Sequence, residues 1–214
     1  VDLVDGVEAV PCGASGVVAA VQTVRADRRP QPLRLERIGM DLTEHVKKYP
    51  EQSEISALPD ERARPVIDGR LDDAVWKKSP TVSRLIPRQA DGYAPVKTEA
   101  WLRYADSTLY IAVRCHEPLL RDVLSEVSGR DADVREDDSI EILFDTNRDK
   151  KTFYHFAVNS KAVLYDARRD DAKWNSTATI KTSHEANAWT VEMAIPLDEI
   201  DADLSSHRIW GMQI

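Results

Sequence analysis

An all-β fold, a two-sheet antiparallel β-sandwich, is what this chain predicts, and three observations carry the prediction. Beyond Pro65, short runs alternate apolar and polar residues with period two, the mark of strands buried on one face. Turn residues separate those runs at short intervals. Of the 214 positions 42% are hydrophobic, enough for a core between two sheets.

Taken in order, residues 1 to about 60 stand apart from the remainder of the chain. Residues 16–24 and 33–38 read as strands, and Arg28-Arg29-Pro30-Gln31-Pro32 between them is a loop by its prolines. Residues 43–49 read as a short helix capped by Thr43 or Asp41 and stopped before Pro50. So little material cannot close a core alone. The expected organisation is the tail of a preceding domain plus a linker over 1–60, then a β-sandwich over 61–214. The chain opens on Val, which fits a processed protein or a piece of a longer one.

After Gly69, Asp72-Asp73-Ala74-Val75-Trp76 reads as one helical turn, with Trp76 plugging an end of the sandwich. Strands are expected at 66–67, 81–85, 96–104, 109–116, 139–144, 153–159, 163–166, 178–182, 189–195 and 208–214. Alternation assigns the inward side chains. They are Ala100, Leu102 and Tyr104; Leu109, Ile111 and Val113; Ile140, Ile142 and Phe144; Tyr154, Phe156 and Val158; and Trp189, Val191, Met193 and Ile195. Cys115 continues the inward side of its run as a small core residue. With Cys12 it gives neither a metal spacing nor a disulfide framework.

Charge narrows the function classes. The net charge of −8 argues against a nucleic-acid partner, and no apolar run is long enough to span a membrane. The five histidines show no ligand spacing, and no nucleophile elbow or Gly-rich phosphate loop is present. Between Asp131 and Asp149 eight acidic residues meet only Arg135 and Arg148, so the field there favours cations. Within that run Asp145, Asn147 and Asp149 are spaced D-x-N-x-D. Three such oxygens can converge on a calcium ion, and the same residues also build a bare Asx-rich hairpin turn.

Pro65-Val66-Ile67-Asp68-Gly69-Arg70-Leu71-Asp72-Asp73-Ala74-Val75-Trp76 resembles the opening signature of the family 9 carbohydrate-binding modules. The runs Leu109-Tyr110-Ile111-Ala112-Val113, Asp137-Asp138-Ser139-Ile140-Glu141-Ile142, Trp189-Thr190-Val191-Glu192-Met193-Ala194-Ile195-Pro196 and Trp210-Gly211 are similar to its later blocks, in order. The resemblance implies a non-catalytic, calcium-containing sandwich appended to an extracellular, periplasmic or cell-surface polysaccharide-processing protein. Sugar-binding members carry one stacking Trp just ahead of the strand that begins here at Ser139; this chain has Arg135 at about that place. The second ring of that pair is expected beyond Ile214.

Other rings are therefore candidates for an oligo- or polysaccharide. Trp174 stands with Arg169, Asp171 and Asn175 in a loop, and Trp101 lies on the outward side of its strand. A flat ring fringed by polar groups suits a sugar, whose C–H face stacks while its hydroxyls hydrogen-bond. Packing against a flanking segment or over the core edge is the competing reading of both. Carboxylate pairs such as Asp137 with Glu141, or Glu141 with Glu192, are not read as a glycosidase acid and nucleophile, because Glu141 and Glu192 are both expected on the outward sides of their strands, solvated or paired with Arg or Lys. The expectation is a carbohydrate-binding module that also contacts adjacent domains of its polypeptide. The alternative is a structural or docking sandwich with no sugar ligand.

Overall fold

The computed structural model describes residues 64–83, 85, 94, 96–149, 151–169, 171–206 and 209–214, together with strands β1 (Val18–Ala20), β2 (Leu33–Glu36) and β3 (Glu54–Pro59). The remaining strands are β4 (Thr98–Ala105), β5 (Thr108–His116), β6 (Ser139–Asp145), β7 (Tyr154–Asn159), β8 (Leu164–Arg168), β9 (Thr179–His184), β10 (Ala188–Pro196) and β11 (Ile209–Gln213).

They form two antiparallel sheets, ordered β8-β7-β6-β11 and β4-β5-β10-β9. Strands β1, β2 and β3 pair in succession from β11 to β4, and β2–β11 and β3–β4 are parallel. β1 and β2 fall inside two runs expected to be strands. The helix expected at 43–49 lies outside the described residues.

The alternation holds. Every inward residue named from the sequence lies in one buried cluster drawn from both sheets, joined by Leu197, Ile200, Trp210 and Met212. Phe144 meets Phe156 and Trp210 edge-on, at 6.4 and 6.2 Å between ring centroids. Cys115 belongs to the same cluster, where burial pushes its thiol up. Residues 66–67 are not a strand, and the described part of 81–85 makes only an isolated bridge, Val82 to Ala100.

The outer face of the β4-β5-β10 sheet is covered too, which the sequence did not indicate. Leu71, Val75 and Trp76 form a second apolar cluster with Trp101, Ala105, Tyr110 and Ala112. Trp76, expected to plug an end of the sandwich, instead lies on this outer face. Glu192, expected to be solvated or paired with a cation, is fully buried beneath it. One carboxylate oxygen accepts the backbone N–H groups of Asp68 and Gly69 at 3.0 and 2.7 Å; the other accepts Trp76 Nε1–H at 2.7 Å. The Thr190 hydroxyl donates to Gly69 O at 2.6 Å. Gly69 has φ +90°, and a Cβ there would stand 2.5 Å from the Thr182 backbone, so only glycine lets the segment lie this close.

Candidate functional site

The outer face of the other sheet is open, and it gathers polar and aromatic side chains. Because Ile140, Ile142, Phe156 and Val158 point inward, their neighbours Glu141, His155 and Ala157 point out. Register sets Ala157 opposite both Glu141 and Tyr165, so a methyl group forms the floor between them. His155 Nε2 lies 2.9 Å from Glu141 Oε2, and its ring meets Tyr165 edge-on at 5.3 Å.

A short 3-10 turn, Val134–Glu136, brings Arg135 over this face. Its guanidinium lies 5.6 Å from the centre of the Tyr165 ring, close enough for cation–π attraction. Asp133 grips it from the side: Nε donates to Oδ1 at 2.6 Å and Nη2 to Oδ2 at 2.8 Å. The hydrogen bond from Arg135 holds the Asp133 carboxyl below its usual range, so the fork is charged at neutral pH. Arg135 and Asp133 are each about half exposed, at 48% and 50% of their side-chain surface. The cluster therefore offers the Arg135 guanidinium and the Asp133 carboxylate to solvent, with Glu141 and Tyr165 partly exposed beside them and His155 buried beneath.

Next to it, Asp137 ties down the chain entering β6. Burial pushes its carboxyl up, but the N–H groups of Glu126, Asn159 and Val127 outweigh that and hold it below its usual range. Asn159, fully buried, also donates to Val127 O. These bonds strap residues 124–127 across the start of the strand.

Four of the expected sugar residues share one loop; Arg169, Asp171 and Asn175 are exposed, but the ring of Trp174 faces the core. Trp174 packs on Tyr154 and Phe156, with centroids 5.3 and 5.9 Å away, and closes the sandwich edge. Asn175 Oδ1 accepts Arg130 Nε–H at 2.5 Å, and Asp171 Oδ1 accepts Lys173 N–H at 3.0 Å. Arg169 is exposed, at φ +56°. The fifth, Trp101, lies on the other sheet and is 5% exposed. Its Nε1–H donates to Lys78 O at 2.8 Å, with Arg114 over its ring and Leu71 and Trp76 beside it. That corrects its expected role: the segment before β4 covers the ring a sugar would need.

In the D-x-N-x-D loop, Asp149 Oδ1 accepts the N–H groups of Lys151 and Thr152, and Oδ2 accepts Thr152 Oγ1–H and Asn147 Nδ2–H. All four of its lone-pair sites are taken. Asn147 Oδ1 accepts Asp149 N–H at 3.0 Å. Asn147 and Asp149 as arranged make an Asx turn with their oxygens turned to each other and to the loop backbone, and Asp145, the third expected ligand, is buried at the end of β6. Among the described residues no group of three or more His, Cys, Asp or Glu side chains is placed to hold a metal.

Glu141 and Glu192 lie on the outer faces of opposite sheets. Two packed sheets alone put about 10 Å between their mid-planes. Outward carboxylates on either side are beyond the roughly 5 to 9.5 Å at which a glycosidase pair works. Sequence reasoning missed Tyr165, His155, Arg135 and Asp133 as a group. The Arg135 position was signalled as the place where sugar-binding members carry a ring, and Tyr165 by the polar, aromatic run from Leu164 to Asn175.

A family profile described as "Carbohydrate family 9 binding domain-like" matches residues 67–214. Endo-1,4-β-xylanase C of Paenibacillus barcinonensis is 26% identical over 152 residues, 70% of this chain. The match spans 13% of that much longer protein. Among solved structures, a family 9 carbohydrate-binding module from Caldicellulosiruptor kristjanssonii in complex with glucose is 22% identical. It covers 72% of this chain and 83% of its own, with a TM-score of 0.47. The same module in complex with cellotriose is 21% identical, with 73% and 82% covered and a TM-score of 0.49.

Proposed function

The chain belongs to the carbohydrate family 9 binding domain-like family, and from that membership we propose a non-catalytic carbohydrate-binding module whose sugar face is the outer surface of β6, β7 and β8. The observation that carries the location is the cluster of Arg135, Tyr165, His155 and Glu141. Arg135 occupies about the place where sugar-binding members carry a stacking ring, and it lies over a ring, Tyr165, supplied by β8. The partly exposed Tyr165 ring and the planar guanidinium over it give apolar contact to sugar C–H groups. Glu141 and Asp133 accept from hydroxyls, and Arg135 donates to them.

Charges in the cluster are already paired with one another, which favours a neutral sugar over an acidic one. Its relation to a xylanase supports a place beside a catalytic domain in an extracytoplasmic polysaccharide-degrading protein, where the module holds the enzyme on its substrate. Xylo- and cello-oligosaccharides are the natural probes.

The test is calorimetric titration of wild type, Tyr165→Ala and Trp174→Ala with both series. A ring at the centre of a small interface contributes about 2 kcal/mol or more, so Tyr165→Ala should weaken binding about thirtyfold. Trp174→Ala, a change to the core edge, should bind near normally where it folds. The reverse result moves the site to the Trp174 loop, with Asn175, Asp171 and Arg169. If wild type binds no glycan, the docking sandwich replaces this reading.

A further inference from the structure

Behind the proposed sugar face lies a pair of carboxyl groups that sugar binding does not use. Asp166 is on β8 but points inward, opposite Phe156, and is fully buried. Its Oδ2 accepts Arg130 Nη2–H at 2.6 Å and Ser176 N–H at 2.7 Å. Its Oδ1 is buried with no donor. Asp131, whose side chain is 32% exposed, lies within hydrogen-bonding reach of Asp166 and likewise buries an Oδ1 with no donor. Two carboxylates cannot occupy that arrangement without something positive between their oxygens.

Arg130 supplies one positive charge, donating also to Ser176 O and Asn175 Oδ1, with its Nε 3.8 Å from Asp131 Oδ1. From the loop after β8, Ser176 and Asn175 face the pair, and Glu199 lies behind the Ser176 hydroxyl. From β7, Phe156 stands opposite Asp166, and Trp174 packs on Phe156. One guanidinium against two carboxylates leaves one negative charge. A metal ion there would sit beside the guanidinium and find few of the six or more oxygens that calcium needs.

We infer that Asp166 keeps a proton and donates it to the buried oxygen of Asp131, and that this hydrogen bond fastens the 129–136 loop onto β8. The same loop carries Asp133 and Arg135, and its Asp131 N–H bonds Leu164 O at 2.9 Å, one residue before Tyr165. Loss of the proton therefore loosens the sugar face from behind. Burial raises the Asp166 carboxyl; Ser176 N–H and Arg130 pull it back, and the charge and contact of Asp131 push it up again, for a net rise. Its contribution to stability is present at acidic pH and lost as pH climbs through the folded-state value.

Asp131→Asn is the test, because its amide donates permanently to Asp166 Oδ1. Asn also tolerates the φ of +65° found at this position. At neutral pH the variant should melt about 3 °C above wild type, and the gap should narrow as the pH is lowered into the acidic range. Parallel pH profiles for the two proteins would overturn the inference, as would a calcium-dependent rise in wild type that the variant lacks, which would mean a metal ion in place of the proton. The coupling to binding rests on the proposed sugar face: between neutral and acidic pH, affinity for xylotetraose should tighten about fivefold more in wild type than in the variant. Equal changes in the two proteins refute the coupling. A wild type that binds no glycan at any pH refutes the sugar reading, while the melts still decide the proton.

Discussion

Replacing Glu192 by Ala should be among the most destabilising single changes outside the main core. It deprives three donors of their acceptor: the N–H groups of Asp68 and Gly69 and the indole N–H of Trp76. Each buried donor left without a partner costs about 1–3 kcal/mol, and local relaxation keeps the sum near 3–5 kcal/mol. For a domain of this size that is a fall of about 10 °C in Tm. Glu192→Gln should be far milder. Its amide oxygen can still accept from Asp68 and Gly69, and only its NH2 group faces Trp76 donor to donor. Burial raises the Glu192 carboxyl despite the bonds from Trp76, Gly69 and Asp68. The stability that shift confers is present at low pH and lost as pH rises through the folded-state value, a slope that Glu192→Gln should lack. Urea unfolding followed by tryptophan fluorescence, at several pH values, measures both effects. A loss below about 1 kcal/mol for Glu192→Ala would refute the idea that this carboxylate latches residues 65–78 to the sheet.

The Asp145–Asp149 loop predicts that melts with calcium and with chelator superimpose, since Asp149 has no lone pair left to offer; a rise with calcium would show that the turn opens to take the ion. Glu141→Gln should leave any hydrolysis by the parent polypeptide within about tenfold, the scale of weakened attachment. A loss beyond about a thousandfold would make Glu141 a catalytic carboxylate and the sugar-binding reading wrong.

What the sequence alone determined is the interior. Side chains in a strand alternate by local geometry, so Ile140, Ile142 and Phe144, or Trp189, Val191, Met193 and Ile195, declare their common face without reference to anything distant. The Asx turn at Asn147 and Asp149 is equally local. The outward residues were another matter, because alternation says which side a residue faces and not what lies there. Trp101 and Glu192 became buried only because Leu71 and Trp76, far away along the chain, settle on their sheet, with Gly69 permitting the close approach. Tyr165, His155 and Glu141 became a site only through the register of three strands, and Arg135 joined them through a turn whose grip, Asp133, is two residues away. Tertiary structure decided these outer faces because covering or exposing them depends on long-range packing, which no local period encodes.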